Sequence, residues 1–398
     1  MSTKKLSNKN RIIKQLYFSG SMSCADFSMQ LNKSLPFITK LVNDLIEEEV
    51  IVETGFAPST GGRRPLMYSL KPETLYIVAV SMDQFITRIA LMDTNNKIVG
   101  DIKRVVLTLS NNDDALITFY EELNRFIQNV EVDRKKIIGI GIGMPGFIDI
   151  KQGINHSFLK TPSTYGKESI TQFISEKLDM PVFIDNDSSV IALAELRFGM
   201  GINRKNVMVI NVSWGVGLGM IISGNLYRGA NGFAGEFSHI PLFTNNKLCS
   251  CGKSGCLETE TSLSVLIEKF KEAISQGRVS KLSEVPDANI EETSALIVKC
   301  AIEGDRLAVE LLSEIGYKIG RGVAILIHLL NPELIILSGR GTQAGQIWQA
   351  PIQQALNEHC IPKLSQNTLI KVSKLGFDAS LIGAAALVME NYDHIYSS

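Results

Sequence analysis

One histidine and three cysteines set close together, His239, Cys249, Cys251 and Cys256, restrict this chain more than any other feature of its sequence. Their spacing is H-x9-C-x-C-x4-C, with Gly252 and Gly255 among the thiols. Three thiols and an imidazole are borderline-soft ligands that suit tetrahedral Zn²⁺. Four protein ligands leave no open coordination position, so such a site is structural, and the glycines let the chain turn tightly about one ion. The competing reading, three core cysteines beside a surface histidine, sits badly with a glycine-rich loop. Six cysteines in all, three of them bunched here, fit a metal and a reducing compartment better than a disulfide framework.

At 398 residues the chain is long enough for two or three domains. A formal net charge of -1 gives no global attraction to nucleic acid and leaves only a local one. The stretch from Met1 to Arg11 is polar and lysine-rich, unlike a signal peptide. No apolar run approaches the roughly 20 residues needed to cross a bilayer. A cytoplasmic location is expected.

The first seventy residues predict three short helices and a hairpin. Ile12, Ile13, Leu16 and Tyr17 keep helical spacing up to Ser19-Gly20. Ser23 with Asp26 makes a capping signature ahead of Phe27 and Leu31. Ser34 is placed to cap a third helix, with Pro36 in its first turn. There Ile38, Leu41, Val42, Leu45 and Ile46 form one apolar face, while Thr39, Lys40 and Asn43 point elsewhere, as a recognition helix in a major groove requires. Two strands, around Ile51–Glu53 and Leu66–Leu70, flank the tip Ser59-Thr60-Gly61-Gly62-Arg63-Arg64-Pro65. Adjacent arginines on such a tip can reach phosphates or a narrow minor groove. Residues 1–70 hold nine basic and six acidic side chains, and four of the acids crowd the end of the third helix. The expectation is a winged helix-turn-helix over residues 1–72, touching DNA through Pro36, Phe37, Thr39, Lys40, Asn43, Arg63 and Arg64. A small protein-interaction module is the alternative.

From about Leu75 buried strands alternate with helices. Strands are expected at Leu75–Val80, Ile86–Leu91, Ile98–Val106, Ile137–Ile142, Val182–Ile184, Val207–Val212, Leu218–Ile222 and Ile335–Leu337. The first three read as a meander. Helices are expected near 114–129, from Asp187 through Glu195, and around 382–389. The class is α/β with largely buried sheets, and no internal repeat is visible in the sequence.

Several strings in this body carry a resemblance. They are Gly61-Gly62-Arg63-Arg64-Pro65, Gly143-Met144-Pro145-Gly146, Asp185-Asn186-Asp187, the run from Arg228 to His239, and the cysteine cluster with Leu257-Glu258. From Leu6 to about Met389 the chain resembles the ROK (repressor, open reading frame, kinase) family, and in particular its regulator branch. That resemblance implies a two-lobed actin/hexokinase-like (ribonuclease H-like) fold over 73–398, with a cleft between lobes and the zinc loop at 239–258. It further implies that Asn186, Asp187, Glu236, His239 and Glu258 grip sugar hydroxyls, with Asp187 at the position of the kinases' general base. Carboxylates, an amide and an imidazole are the groups such hydroxyls need. His239 would serve both metal and sugar through its two ring nitrogens.

The nucleotide side departs from the family pattern. Active members resemble one another in an Asp-x-Gly-Gly-Thr turn, where this chain has Ser81-Met82-Asp83-Gln84-Phe85. A second phosphate loop, usually Gly-Thr-Gly, reads Ser213-Trp214-Gly215, and Ser338-Gly339-Arg340-Gly341 is also altered. Backbone must approach phosphate closely, and side chains at these places obstruct it. The segment Ser157-Phe158-Leu159 through Tyr165-Gly166-Lys167 lacks the asparagine and tryptophan often present there, which leaves the sugar unnamed. The expected function is a sugar-responsive DNA-binding regulator, a repressor without kinase activity, working as a homodimer or homotetramer on operator DNA. A sugar kinase and a regulator answering to a protein partner are the alternatives.

Overall fold

The structure is a computed structural model, and it describes residues 3–59, 64–282, 290–393 and 395. The N-terminal part has helices Thr3–Ser19, Cys24–Leu31 and Leu35–Glu47, and a small sheet ordered Met22–Ser23, Leu66–Leu70, Ile51–Phe56. Ile12, Leu16, Phe27, Ile38, Leu41, Leu45 and Ile51 are buried together at its centre. The capping box forms as the sequence predicts: Ser23 Oγ accepts from Asp26 N at 3.2 Å and Asp26 Oδ2 accepts from Ser23 N at 2.9 Å, a motif worth about 1 kcal/mol. Ser34 does sit at the N-cap of the third helix, yet its side chain makes no capping bond. A serine there would bond the second or third amide of the helix, and Pro36 takes one of those two donors away.

The chain divides into two compact units, residues 1–187 with 381–398, the N-terminal part among them, and residues 188–380. The first unit's large sheet runs Val182–Asn186, Ile137–Met144, Tyr76–Met82, Ile86–Asp93, Ile98–Val106. The second unit's sheet runs Leu369–Val372, Leu334–Ser338, Val207–Val212, Val216–Ile222, Asn225–Tyr227. Each is an antiparallel three-strand meander continued by two parallel strands on the far side of its first strand. The chain therefore repeats one topology twice without repeating its sequence.

Each sheet also makes room for one helix in the same manner. In the first unit a Cβ on Gly141 would stand 1.9 Å from Ala384 O of the helix Ala379–Glu390. In the second, a Cβ on Gly219 would stand 2.4 Å from both Ala192 Cβ and Ser188 O of the helix Asp187–Phe198. Glycine is required where helix backbone lies this near a strand. The 25-residue helix Arg306–Leu330 is the longest, and Asp305 caps it by accepting from Ala308 N at 2.9 Å. Among the described residues, no helix is long and apolar enough to cross a membrane.

Candidate functional sites

The metal-type motif closes on itself in the second unit. The ligand atoms of His239, Cys249, Cys251 and Cys256 all lie within 4.8 Å of one another, a group that could hold a metal ion. His239 Nδ1 is 3.5 Å from Cys249 Sγ, and Cys251 Sγ is 3.7 Å from Cys256 Sγ. Backbone bonds tie the loop: Cys249 N donates to Lys253 O at 2.7 Å, Gly252 N to Cys249 O at 2.9 Å and Phe243 N to Gly255 O at 3.0 Å. Gly255 has φ +75°, and a Cβ on it would stand 2.0 Å from Phe243 O, so only glycine fits. Burial, with the neighbouring thiols, pushes the Cys256 thiol up to about 12.

The same loop feeds the expected sugar residues. His239 ends the short turn Phe237–His239, and its Nε2 faces Glu236 Oε2 at 3.8 Å. Glu258 opens the turn after the last cysteine and accepts from Val216 N at 3.1 Å. Burial raises the pKa of both Glu236 and Glu258, and each acid is affected by His239. These three residues form one cluster. Gly215 belongs to it as well, because a Cβ there would stand 2.5 Å from Glu258 Oε2. Its neighbour Val216 supplies the amide, a role invisible in the sequence.

Asn186 and Asp187 stand in the first unit, where the strand Val182–Asn186 passes into the helix Asp187–Phe198. Asn186 Nδ2 donates to Gly146 O at 3.2 Å. This orients the amide so that Oδ1 is the atom turned away from Gly146. Behind Gly146, the buried Asn155 locks the loop: Oδ1 accepts from Ser157 N at 2.9 Å and Phe158 N at 3.1 Å, and Nδ2 donates to Pro145 O at 3.1 Å.

The segments expected to depart from the family's nucleotide loops make bonds within the chain. Asp83 Oδ1 accepts from the amides of Phe85 and Ile86, both at 2.8 Å. Leu109 N and Leu107 N donate to the carbonyls of Gln84 and Phe85. Trp214 is 4% exposed. The Arg340 guanidinium carbon lies 4.9 Å from the Trp214 ring centroid and 4.2 Å from that of Phe377, while Arg340 pairs with Glu291. An arginine held between two aromatic faces and ion-paired at its tip is a well-bound internal group. Nothing in the local sequence announces this stack, because its members are far apart in the chain.

In the N-terminal module, Pro36, Phe37, Thr39, Lys40 and Asn43 share the exposed side of the helix Leu35–Glu47, opposite the buried Ile38, Leu41, Val42 and Leu45. Thr39 Oγ1 donates to Leu35 O at 2.9 Å. Arg64 is exposed, 5.8 Å above the Phe56 ring; Thr60 to Arg63, and so the Arg63 reading, lie outside the described residues. The first helix is pinned at both ends of its buried face. Lys9 Nζ meets Glu48 Oε1 at 2.6 Å and Asp44 Oδ2 at 3.7 Å at the end of the third helix. Lys14 donates to Glu390 O and pairs with Asp393 at 3.0 Å, Asn10 Nδ2 donates to Tyr392 O at 3.3 Å, and Tyr17 reaches Asn96 Oδ1 at 2.5 Å.

A family model described as the ROK family matches residues 78–391. The chain is similar to the xylose repressor of Caldicellulosiruptor bescii, 28% identical over 395 residues that cover 96% of each chain. It is also similar to the glucokinase of Halalkalibacterium halodurans, 30% identical over 318 residues, covering 79% of this chain and 95% of that one. Among solved structures, it is similar to a ROK family transcriptional regulator described as a homolog of the Escherichia coli MLC protein. That likeness has a TM-score of 0.79 at 27% identity and covers 99% of this chain and 98% of the other. The match to the repressor is too long to leave out the N-terminal module, whereas the match to the glucokinase has about the length of the family domain.

Proposed function

Because the chain belongs to the ROK family, we propose that it is a sugar-responsive transcriptional repressor, a DNA-binding regulator that keeps a sugar site and lacks a kinase's nucleotide loops. The observation that carries this reading is the N-terminal module within a full-length likeness to repressors. As a winged helix-turn-helix, it sets Pro36, Phe37, Thr39, Lys40 and Asn43 toward base edges and phosphates of a major groove, with Arg64 and Arg63 on the wing. Two copies on two half-sites form the DNA-binding unit, in keeping with the symmetry of such operators.

Zn²⁺ is the ion that suits the cysteine loop. Tetrahedral bonds of about 2.3 Å to sulfur and 2.0–2.1 Å to nitrogen put two sulfurs roughly 3.8 Å apart and sulfur and nitrogen roughly 3.5 Å apart. The 3.7 and 3.5 Å separations agree with this. His239, Cys249, Cys251 and Cys256 hold the ion, which organises the loop and supplies no reactive position. Held through Nδ1, the His239 ring is fixed with Nε2 toward Glu236 and the sugar. Glu236, His239 and Glu258 bind sugar hydroxyls, and Asn186 and Asp187, which stand in the first unit, have the chemistry for the same role.

The engaged amides at Phe85 and Ile86 and the Trp214–Arg340–Phe377 stack support the absence of nucleotide. Phosphoryl transfer needs the triphosphate positioned, so Asp187 alone does not make a kinase. The likeness to a glucokinase favours the second reading, a sugar kinase.

Signal passes to DNA through the first helix. Lys14, Asn10 and Tyr17 grip the body, and Lys9 holds the end of the recognition helix, so a shift of the C-terminal helix reorients the DNA-reading face. Sugar and DNA then oppose one another reciprocally, with a coupling of about 1–3 kcal/mol. The test is fluorescence anisotropy on DNA from the chain's own upstream region, with a sugar panel added, and an ATP-turnover assay on the same sugars. Specific DNA binding released by a sugar is expected; sugar-dependent ATP consumption refutes the repressor reading in favour of the kinase.

A further inference from the structure

Arg340 carries a charge that the sugar reading leaves without a role, and its surroundings in the second unit give it one. Its side chain is 9% exposed and pairs with Glu291, while its guanidinium carbon stands 4.9 Å from the Trp214 ring centroid and 4.2 Å from that of Phe377. A planar, weakly hydrated guanidinium is the cation that suits burial between two rings, and the carboxylate offsets its charge there. Backbone fixes the clamp from behind. Gly339 has φ +80°, and a Cβ on it would stand 2.2 Å from Asn211 Oδ1 and 2.7 Å from Val212 O. The segment bearing Arg340 therefore lies directly on the end of the strand Val207–Val212. That strand pairs antiparallel with Val216–Ile222, and Ser213-Trp214-Gly215 is the tip of the hairpin. A hairpin tip is mobile unless something holds it. Here the neighbours of Trp214 offer only a hydroxymethyl group and a hydrogen atom, so the indole, 4% exposed, is the handle.

The other side of the tip meets the sugar cluster. Val216 N donates to Glu258 Oε2 at 3.1 Å, and a Cβ on Gly215 would stand 2.5 Å from the same oxygen. A bond of that length is near the long end of the normal range, so a shift of a few tenths of an ångström weakens it. We propose that Arg340 is a positioning residue for the sugar site: by clamping the Trp214 indole it fixes the Gly215–Val216 backbone, and through that backbone the Glu258 carboxylate. Ser264 Oγ donating to Trp214 O at 2.9 Å and Leu263 N donating to Ser213 O at 2.8 Å secure the same tip from the helix Leu263–Ser275. The segment where the sequence predicts an altered phosphate loop thus serves the sugar. This inference rests on the sugar-binding role of Glu258 proposed above.

Two readouts on the full chain test it: hydrogen exchange of the Val216 amide without sugar, and isothermal titration with D-xylose, D-glucose and N-acetyl-D-glucosamine. Arg340→Ala should speed exchange at Val216 by about fivefold or more and leave the strand Leu334–Ser338 as protected as in native protein. It should weaken the sugar that binds by about fivefold or more. Arg340→Lys keeps the charge for Glu291 but has no plane to stack, so it should fall between native protein and Arg340→Ala in both readouts. Where Arg340→Ala does not fold, Arg340→Lys alone carries the test, against the same native values. Unchanged exchange at Val216 overturns the clamp. Exchange that rises equally through the strand Leu334–Ser338 overturns it too, because the loss is then one of stability rather than position. Faster exchange at Val216 with sugar affinity within about twofold of native severs the clamp from the sugar site and overturns the proposal. If native protein binds none of the three sugars, the sugar reading fails and takes this inference with it, a result that native protein alone distinguishes from failure of the clamp.

Discussion

Gly215→Ala is a one-carbon test of how the sugar cluster is held. Gly215 is not among the glycines with positive φ, so alanine can adopt its backbone. The new Cβ would stand 2.5 Å from Glu258 Oε2 and 3.3 Å from Glu258 Cδ, with no other atom as near. Ordinary van der Waals distance requires the carboxylate to retreat by roughly 1 Å. That movement breaks the 3.1 Å bond from Val216 N and takes Glu258 out of register with Glu236 and His239. A hydrogen bond to a charged group is worth about 1.5–3 kcal/mol, so sugar affinity should fall by about 10- to 150-fold. Glu258 is only partly buried and is not a metal ligand, so folding and metal content should be nearly unchanged. Titration calorimetry on wild type and variant, with metal analysis of both, reads the effect. Sugar affinity within twofold of wild type, with the chain folded and metal-loaded, would refute the reasoning.

Three other outcomes are expected. Native protein should carry one zinc per chain by elemental analysis, and Cys251→Ser should lose it and lower the melting temperature; native protein with well below one zinc would contradict the assignment. Arg63→Ala with Arg64→Ala should weaken operator binding and reduce the slope of log K against log salt by about 0.9 for each phosphate the wing no longer neutralises, and an unchanged slope would remove the wing from the interface. Lys14→Met cuts the link to Glu390 and Asp393. It should leave sugar binding intact while shrinking the effect of sugar on operator affinity several-fold, and full coupling in this variant would show that the signal takes another route.

Features fixed by neighbours in sequence were legible. The Ser23 and Asp26 capping box, the meander from Tyr76 to Val106 and the His239 to Cys256 cluster all follow from local pattern, and the structure shows each. Features that depend on distant pairing were not. The common strand order of the two sheets rests on partners such as Val207 and Leu334, more than a hundred residues apart. No spacing rule links Asn10 with Tyr392, Gly215 with Glu258, or Arg340 with Trp214 and Phe377. Gly215 stands in an altered nucleotide loop by its sequence, whereas in the fold it is Glu258 that requires a glycine there. Ser34 shows the limit of local reading even for a cap, since Pro36 removes a donor that its hydroxyl would have used.

The most direct test of the whole account is a competition on one labelled operator duplex: anisotropy followed as a sugar is titrated, with and without ATP and Mg²⁺. Release of the duplex by sugar, at the same sugar concentration whether or not ATP is present and with no ADP formed, is the predicted result. A duplex that stays bound at saturating sugar, or release accompanied by ATP turnover, would contradict it.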